Sequence, residues 1–526
     1  MYKKLHDTDL DRVFVYLFLC READASDTKA EQVLNQLQQR VTNFSNEIIF
    51  YTLAIGKLEA ARQKRILKNP AFSEYRFLLE GIFDAAKYNL TEAEEKILSL
   101  KSLTSHSLWI SGTEKILNST TVTVDGKEES LNGAMMEMLD APKKRRHALH
   151  AAVTTALQNI GPVAENELTA LCLDKKVGDE LRGYKKPYSA TVRSFDSTEK
   201  TLESLVEAVE TRGYALSRKF YALKNKGAKK PTAYIDRDDF SKRMPGLSFA
   251  DAVTICRDAF YGFDTRYGEI FDEMLQNGHI DVYPRPGKGG GAFCIGTTNC
   301  PTMVMLNHSN DFSSLRTLAH EMGHAVHAYR SKEQSVLYDD HSTLTAETAS
   351  TFFEAVVAHN LMQQLTDSQK TIYLNALIGD KIGTMIMCIA RYAAELEMHE
   401  TIRKDGAMTW QAMAATLAKH FRKYCGKAVT VSDDDGLSIL AKTHYRRNFY
   451  QYSYSFGVIM SNIMFGKCLE NEAYKQKVDQ FLAAGEKDTV EKIYKEIGIT
   501  AGSVKTFNEG LDLLESEIKT FAKLIR

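Results

Sequence analysis

The chain is poor in the residues that punctuate or staple a fold. Nine prolines in 526 residues, with no low-complexity stretch, leave nothing that reads as an extended linker or an obvious domain cut. Eight cysteines stand at 20, 172, 256, 294, 300, 388, 425 and 468, and no two form a C-x-x-C pair. That argues against a disulfide framework or a zinc ribbon and suits a reducing cytosol. Charge of one sign is missing too: 67 Lys and Arg against 68 Asp and Glu leave a net charge of −1. No global field therefore recruits nucleic acid or an anionic membrane. No apolar stretch approaches the ~18 residues that span a bilayer, and no repeat of solenoid period stands out. With 44% hydrophobic and 26% charged residues, the expectation is a soluble globular protein acting in the cytoplasm, without nucleic-acid or membrane partners. The sequence carries no signal for an oligomeric state.

Three stretches imitate motifs and fail on detail. "VFVYLFLC" (13–20), followed by "READAS", resembles the apolar region and small-residue cleavage site of an export leader. Asp7, Asp9 and Asp11 precede it, however, and Arg21 and Glu22 interrupt the approach, so a core helix is the expectation. "KKRRH" (143–147) follows Pro142 and leads into "ALHAAVTTALQ", which reads as the solvated start of a helix. "GKGGG" (287–291) has its lysine before most of the glycines, with no Ser or Thr after it, the wrong order for a phosphate loop. Glycines here let a backbone pass close to a ligand or a second strand.

Helical periodicity dominates what is present. Residues 28–70, 75–105, 143–175, 197–225 and 249–276 carry apolar residues every three or four positions. Strand signals are local. "TVTVDGKEES" (121–130) reads as a strand entering an Asp-Gly turn, and Ala292–Ile295 and Thr302–Leu306 read as a hairpin joined through 296–301. The coarse expectation is an all-α scaffold with one small sheet.

Directly after that hairpin comes "TLAHEMGHAVHAYRS" (317–331). Apolar residues at 312, 315, 318, 322, 325, 326 and 329 predict a buried helix, which puts His320 and His324 one turn apart on one face. Zinc takes imidazole nitrogens at about 2.0–2.1 Å, and i, i+4 spacing delivers two of them without bending the backbone. Glu321, rotated about 100° from His320, can approach a water on the metal from the side. With 14 histidines in the chain, H-E-x-x-H has roughly 0.02–0.03 expected chance occurrences. The plain alternative is a helix whose histidines satisfy core hydrogen bonds.

A third ligand decides the subclass. A metzincin would have Gly at 327 and His at 330, where this chain has His327 and Arg330. "STLTAETASTFFEAVVAHNLMQQL" (342–365) predicts a second amphipathic helix with Ser342 or Thr343 as N-cap. Glu347 lies near its start and Glu354 on the same face. On spacing alone Glu347 is either the ligand that completes a His₂Glu site or a surface carboxylate. Glu354 is placed to hydrogen-bond a ligand imidazole, and His327 reads as a packed or hydrogen-bonded supporting residue.

Four blocks resemble the oligoendopeptidase F branch of the thimet-oligopeptidase-like zinc peptidases: "IDVYPRPGKGGGAFC", "LAHEMGHAVH", "AETASTFFE" and "HYRRNFYQYSYSFG" (444–457). The resemblance runs from about residue 5 to the C-terminus. It implies a mainly α fold, a two-lobed helical ellipsoid around a deep channel with a small β-sheet beside the zinc site. It further implies an N-terminal helical part (1–120) and a zinc-peptidase catalytic part (121–526). The implied activity is zinc-dependent endopeptidase hydrolysis of short peptides by a metal-activated water. One Zn²⁺ per chain falls on His320, His324 and Glu347, with Glu321 as general base. His444, Tyr450 and Tyr454 match the oxyanion donors, and Gly291, Ala292 and Phe293 the segment that binds substrate backbone. If that fourth block is helical, Tyr450 and Tyr454 share a face and Tyr452 points elsewhere. A dipeptidyl carboxypeptidase and a catalytically silent peptide-binding protein are the alternatives. Two departures stand out. The N-terminal helical region is short by roughly one hairpin, and "GKGGGAFC" lacks the bulkier, more polar pair usual in the family.

Overall fold

The computed structural model describes residues 10–24, 27–240, 244–297 and 299–525. Asp7, Asp9, Ala25 and Ser26 of the leader-like stretch lie outside the described residues. The fold is mainly α. Helices α1 (Leu10–Ala23), α2 (Thr28–Gly56), α3 (Lys143–Arg182), α4 (Phe249–Phe263), α5 (Phe312–Ser331), α6 (Thr343–Gln364), α7 (Asp367–Lys381), α8 (Met387–Asp405), α9 (Tyr452–Glu470) and α10 (Val504–Leu524) carry the features described below.

The predicted helical runs are present and interrupted where a cap intervenes. The 28–70 run breaks at 57–59 and resumes as Ala60–Lys68, and the 249–276 run breaks at Asp264, whose carboxylate accepts from the Arg266 N–H. The 143–175 run extends instead, to Arg182, with Pro162 inside it, and stops at Gly183 in the left-handed conformation (φ 78°). The basic start of α3 is not simply solvated. Arg146 is buried and pairs with Asp236, while Arg145 pairs with Glu129 and Glu137. These cations are spent on internal carboxylates.

Among the described residues three small sheets form. β1 (Thr121–Val124) and β2 (Lys127–Ser130) are the predicted hairpin, turning through Asp125 and Gly126 at positive φ. β3 (Thr232–Ala233) pairs parallel with β7 (Val429–Thr430). The third sheet has the order β4 (Ile280–Asp281), β6 (Met303–Met305), β5 (Phe293–Ile295). The expected hairpin is its antiparallel β5–β6 pair, with Phe293 opposite Met305. β5 is an edge strand, and the sheet lies against α5.

Two expectations require correction. α6 is not amphipathic. It packs against α4, α5 and α9, and Leu344, Ala349, Phe352, Phe353, Val357 and Leu361 bury nearly its whole circumference. The helical run Asp367–Asp405, continuous through a π-turn at Ile382–Ile386, holds an 18-residue window of mean hydropathy 1.4. By length and composition it could cross a membrane, which the sequence reading had excluded for every stretch; half of the window is buried inside the protein. The main apolar core is contiguous from Leu117 to Phe521.

Candidate active site

Asp311 caps α5 by accepting the Ser314 N–H at 2.7 Å, and Leu315, Leu318, Met322 and Val326 seat the helix in the core. His320 and His324 then leave one face, ring centroids 4.8 Å apart and nearly perpendicular. Glu347 comes from the second turn of α6, and one ligand atom from each of the three lies within 4.8 Å of the others. Two glycines let the helices close this far. A Cβ on Gly323 would lie 2.8 Å from Ser350 Cα, and one on Gly457 of α9 would lie 2.6 Å from Glu347 Cβ. Any side chain at either position forces α5 or α9 away from α6.

Hydrogen bonding orients the first imidazole. His320 Nδ1 lies 2.6 Å from Glu354 Oε1, which leaves Nε2 to face Glu347 Oε2 at 3.7 Å. That separation is too long for a hydrogen bond, but two ligands on one tetrahedral ion at 2.0–2.1 Å stand about 3.4 Å apart. Burial opposes the charged form of His320, yet the bond to Glu354 and the charges of Glu354, Glu347 and Glu321 lift its pKa to about 9. Burial, with the His320 charge added, holds His324 well below its ordinary value. Glu321 is 5% exposed, its Oε2 has no hydrogen-bond partner among the described residues, and burial pushes its carboxyl up to about 7. Two imidazoles and three carboxylates held this close together repel or protonate unless a cation sits among them. The donor set fits a divalent metal ion.

A second arm faces the first. His444 sits in a 3-10 turn, Thr443–Arg446, pinned where the buried Arg446 guanidinium pairs with Glu167 at 2.6 and 2.9 Å. Asn448 (φ 41°) and Phe449 (φ 64°) then take the left-handed conformation, which costs a non-glycine residue roughly 1–3 kcal/mol. Thr191 Oγ1 donates to the Asn448 carbonyl at 2.8 Å. Because of this reversal α9 begins only at Tyr452, so Tyr450 precedes the helix rather than sharing a helical face with Tyr454. The two rings meet nonetheless, centroids 5.5 Å apart, and Tyr452 is buried against Phe195 and Tyr392. His444 Nε2 is 3.2 Å from Tyr454 Oη. Burial, reinforced by Lys442, Arg391 and Arg447, lowers His444 to about 4, so its ring is neutral at neutral pH. A cavity of about 490 Å³ brings Tyr454 together with His320, Glu321, Glu347 and Ala292.

The model of peptidase family M3 matches residues 144–513, more than half of the chain, and that of the oligopeptidase F N-terminal region matches 55–118. The chain belongs to peptidase family M3. It is an oligoendopeptidase F-like metallopeptidase. Oligopeptidase PepF of Bacillus subtilis is 22% identical over 98% of this chain and 79% of its own length. An oligoendopeptidase F homolog of Borreliella burgdorferi is 23% identical over 90% and 81%. Among solved structures, one from Chlamydophila abortus has a TM-score of 0.84 at 20% identity, covering 98% of this chain and 89% of its own. Oligoendopeptidase-F from Enterococcus faecium has a TM-score of 0.74 at 18% identity, covering 98% and 91%. These likenesses carry the fold.

Elsewhere in this M3 peptidase, His327 stays apart from the triad, stacked on His341 at 4.2 Å and on Phe481 at 5.7 Å. Gly291, Ala292 and Phe293 lead into β5. Ala292 lines the cavity, while the Gly291 carbonyl is held by Asn307 Nδ2 at 2.8 Å. The preceding glycine run lies against the end of α1. Gly289 N–H donates to the Glu22 carbonyl at the end of α1 at 2.7 Å, and Phe18 of α1 packs edge-on against Phe293 at 5.1 Å. Lys288 folds back onto Asp281 at 3.0 Å and the Tyr283 carbonyl at 2.9 Å. Sequence reasoning passed over Gly323 and Gly457, whose one signal is a glycine inside an otherwise helical pattern.

Proposed function

We propose that this chain is a zinc-dependent endopeptidase that hydrolyses short peptides. The observation that carries it is the convergence of His320, His324 and Glu347 ligand atoms within 4.8 Å, with the buried Glu321 Oε2, which has no hydrogen-bond partner among the described residues, beside them. One zinc ion would be held by those three residues, His320 being oriented by Glu354 and the ligand helix packed through His327. When bound, zinc polarises the scissile carbonyl and makes water a nucleophile near neutral pH. Glu321 accepts the proton of the attacking water and hands it to the leaving amine. Tyr450, Tyr454 and His444 donate hydrogen bonds to the oxygen that becomes negative as the carbonyl turns tetrahedral. The substrate backbone runs along Gly291, Ala292 and Phe293, where the β5 edge has no strand partner among the described residues. A cleft of about 490 Å³ admits an extended peptide segment and excludes folded protein. The channel lies in the catalytic part, 121–526, with the N-terminal helices of 1–120 at its rim. Eight free cysteines support a reducing cytoplasm as the place of action.

Glu321→Gln tests the reading. Turnover should fall on the order of 10²–10⁴-fold while metal content by elemental mass spectrometry stays at one per chain. Substantial remaining activity would sink the general-base role. Mass spectrometry of products from a peptide blocked at both ends should show internal cleavage that a chelator abolishes; a dipeptidyl carboxypeptidase would leave that peptide intact.

A further inference from the structure

The turn that carries Tyr450 has a partner which neither the motif nor the metal site accounts for. Glu395, on α8, is fully buried, and its Oε1 accepts the Phe449 N–H at 2.6 Å. Its other oxygen has no hydrogen-bond partner among the described residues, and Lys175 is the cation that acts on it. A buried carboxyl group in this condition is costly, and its one hydrogen bond among the described residues goes to the backbone of a residue in a disfavoured conformation. Phe449 itself is 0% exposed, its ring set among His399 at 4.8 Å, Tyr392 at 5.7 Å and Tyr188 at 6.1 Å. The N–H that Glu395 holds is therefore out of reach of water, and the next residue in the chain is Tyr450.

We propose that Glu395 is a positioning residue for catalysis: by accepting the Phe449 N–H it holds the left-handed 448–449 turn that sets the Tyr450 ring against Tyr454 and His444. The inference rests on Tyr450 being an oxyanion donor, and Tyr450→Phe tests that separately. The same turn is held from its other side by Thr191 on the Asn448 carbonyl. Glu395 thus acts through backbone geometry and touches no substrate.

The discriminating variants are Glu395→Gln, whose amide oxygen still accepts the N–H, and Glu395→Leu, which fills the space without an acceptor. Glu395→Gln should keep kcat within about threefold of the parent, and Glu395→Leu should lower it on the order of 10–100-fold with KM and metal content unchanged. Adding Glu395→Leu to a Tyr450→Phe background should cost nothing further, because both remove the same contribution. The proposal is overturned if Glu395→Leu retains full kcat, if Glu395→Gln loses as much as the leucine variant, or if the two losses multiply in the double variant. Full activity of Tyr450→Phe would instead remove the oxyanion role on which the proposal rests. Should Glu395→Leu not fold, Thr191→Val decides: a fall in kcat of about fivefold at constant KM supports the clamp, and an unchanged kcat refutes it.

Discussion

The His320–Glu347 half of the site stands on two regular helices, whereas the His444–Tyr454 half stands on a 3-10 turn, two left-handed residues and the first turn of α9. The first half gets its geometry from repetition, since one helical turn sets His320 to His324 and two close-packed helices set Glu347 against them. The second half gets its geometry from clamps: Arg446 on Glu167, Thr191 on Asn448, Glu395 on Phe449. Such a site can fail in two separable ways. Damage to the helices should cost the metal, and damage to the clamps should cost turnover with the metal in place.

The largest expected effect belongs to the first kind. Glu347→Ala removes one of the three proposed ligands, and both metal and activity should drop below detection, by more than about 10⁴-fold in affinity. If metal stays bound, the division of labour between the halves is wrong. Next comes a pH effect on the clamped half. Burial raises the Glu395 carboxyl to about 8, against an unfolded value of about 4.3. Below about pH 4.3 the group is protonated in both states and costs nothing. As pH rises towards 8 the unfolded chain ionises while the folded one holds its proton, so folding stability declines. Glu395→Gln removes that decline. Relative to the parent it should gain on the order of 3–5 kcal/mol between pH 4.5 and 8.5 in denaturant titrations, and a pH-independent difference would refute the linkage.

If Tyr454 is the oxyanion donor proposed above, Tyr454→Phe should lower kcat by about 10²–10³-fold at full metal content. Loss of metal in that variant would show that the halves are not separable. The smallest effect strikes both halves at once. Gly457→Ala pushes α9 from Glu347 and should destabilise the fold by about 1–3 kcal/mol, lowering metal affinity and kcat together.

The same contrast explains what could be read before the structure was seen. His320, Glu321 and His324 were legible because helical period alone aligns them. Glu347 was open on spacing, because its approach depends on Gly323 and Gly457 in other segments, a tertiary fact that no local pattern carries. α6 reads as amphipathic in sequence, but its Thr345, Thr348 and Ser350 are buried along with its apolar residues. Its hydroxyls bond back within the helix, Thr348 to the Leu344 carbonyl at 3.0 Å and Thr351 to the Glu347 carbonyl at 2.6 Å, and so sit buried at little cost. The Tyr450 reversal was not legible. Phe449 gives no hint of positive φ, and the residues that enforce it, Thr191 and Glu395, lie far off in sequence.

Gly457 also sets a schedule. During synthesis the two histidines of α5 leave the ribosome well before the helix that closes over Glu347. At ordinary elongation rates the gap from His324 to Gly457 is roughly 7–27 s. Through most of that interval α6 has no α9 to pack against, and His444 and Tyr454 are added only near its end. A partly made chain therefore carries the H-E-x-x-H helix without the segment that closes over Glu347.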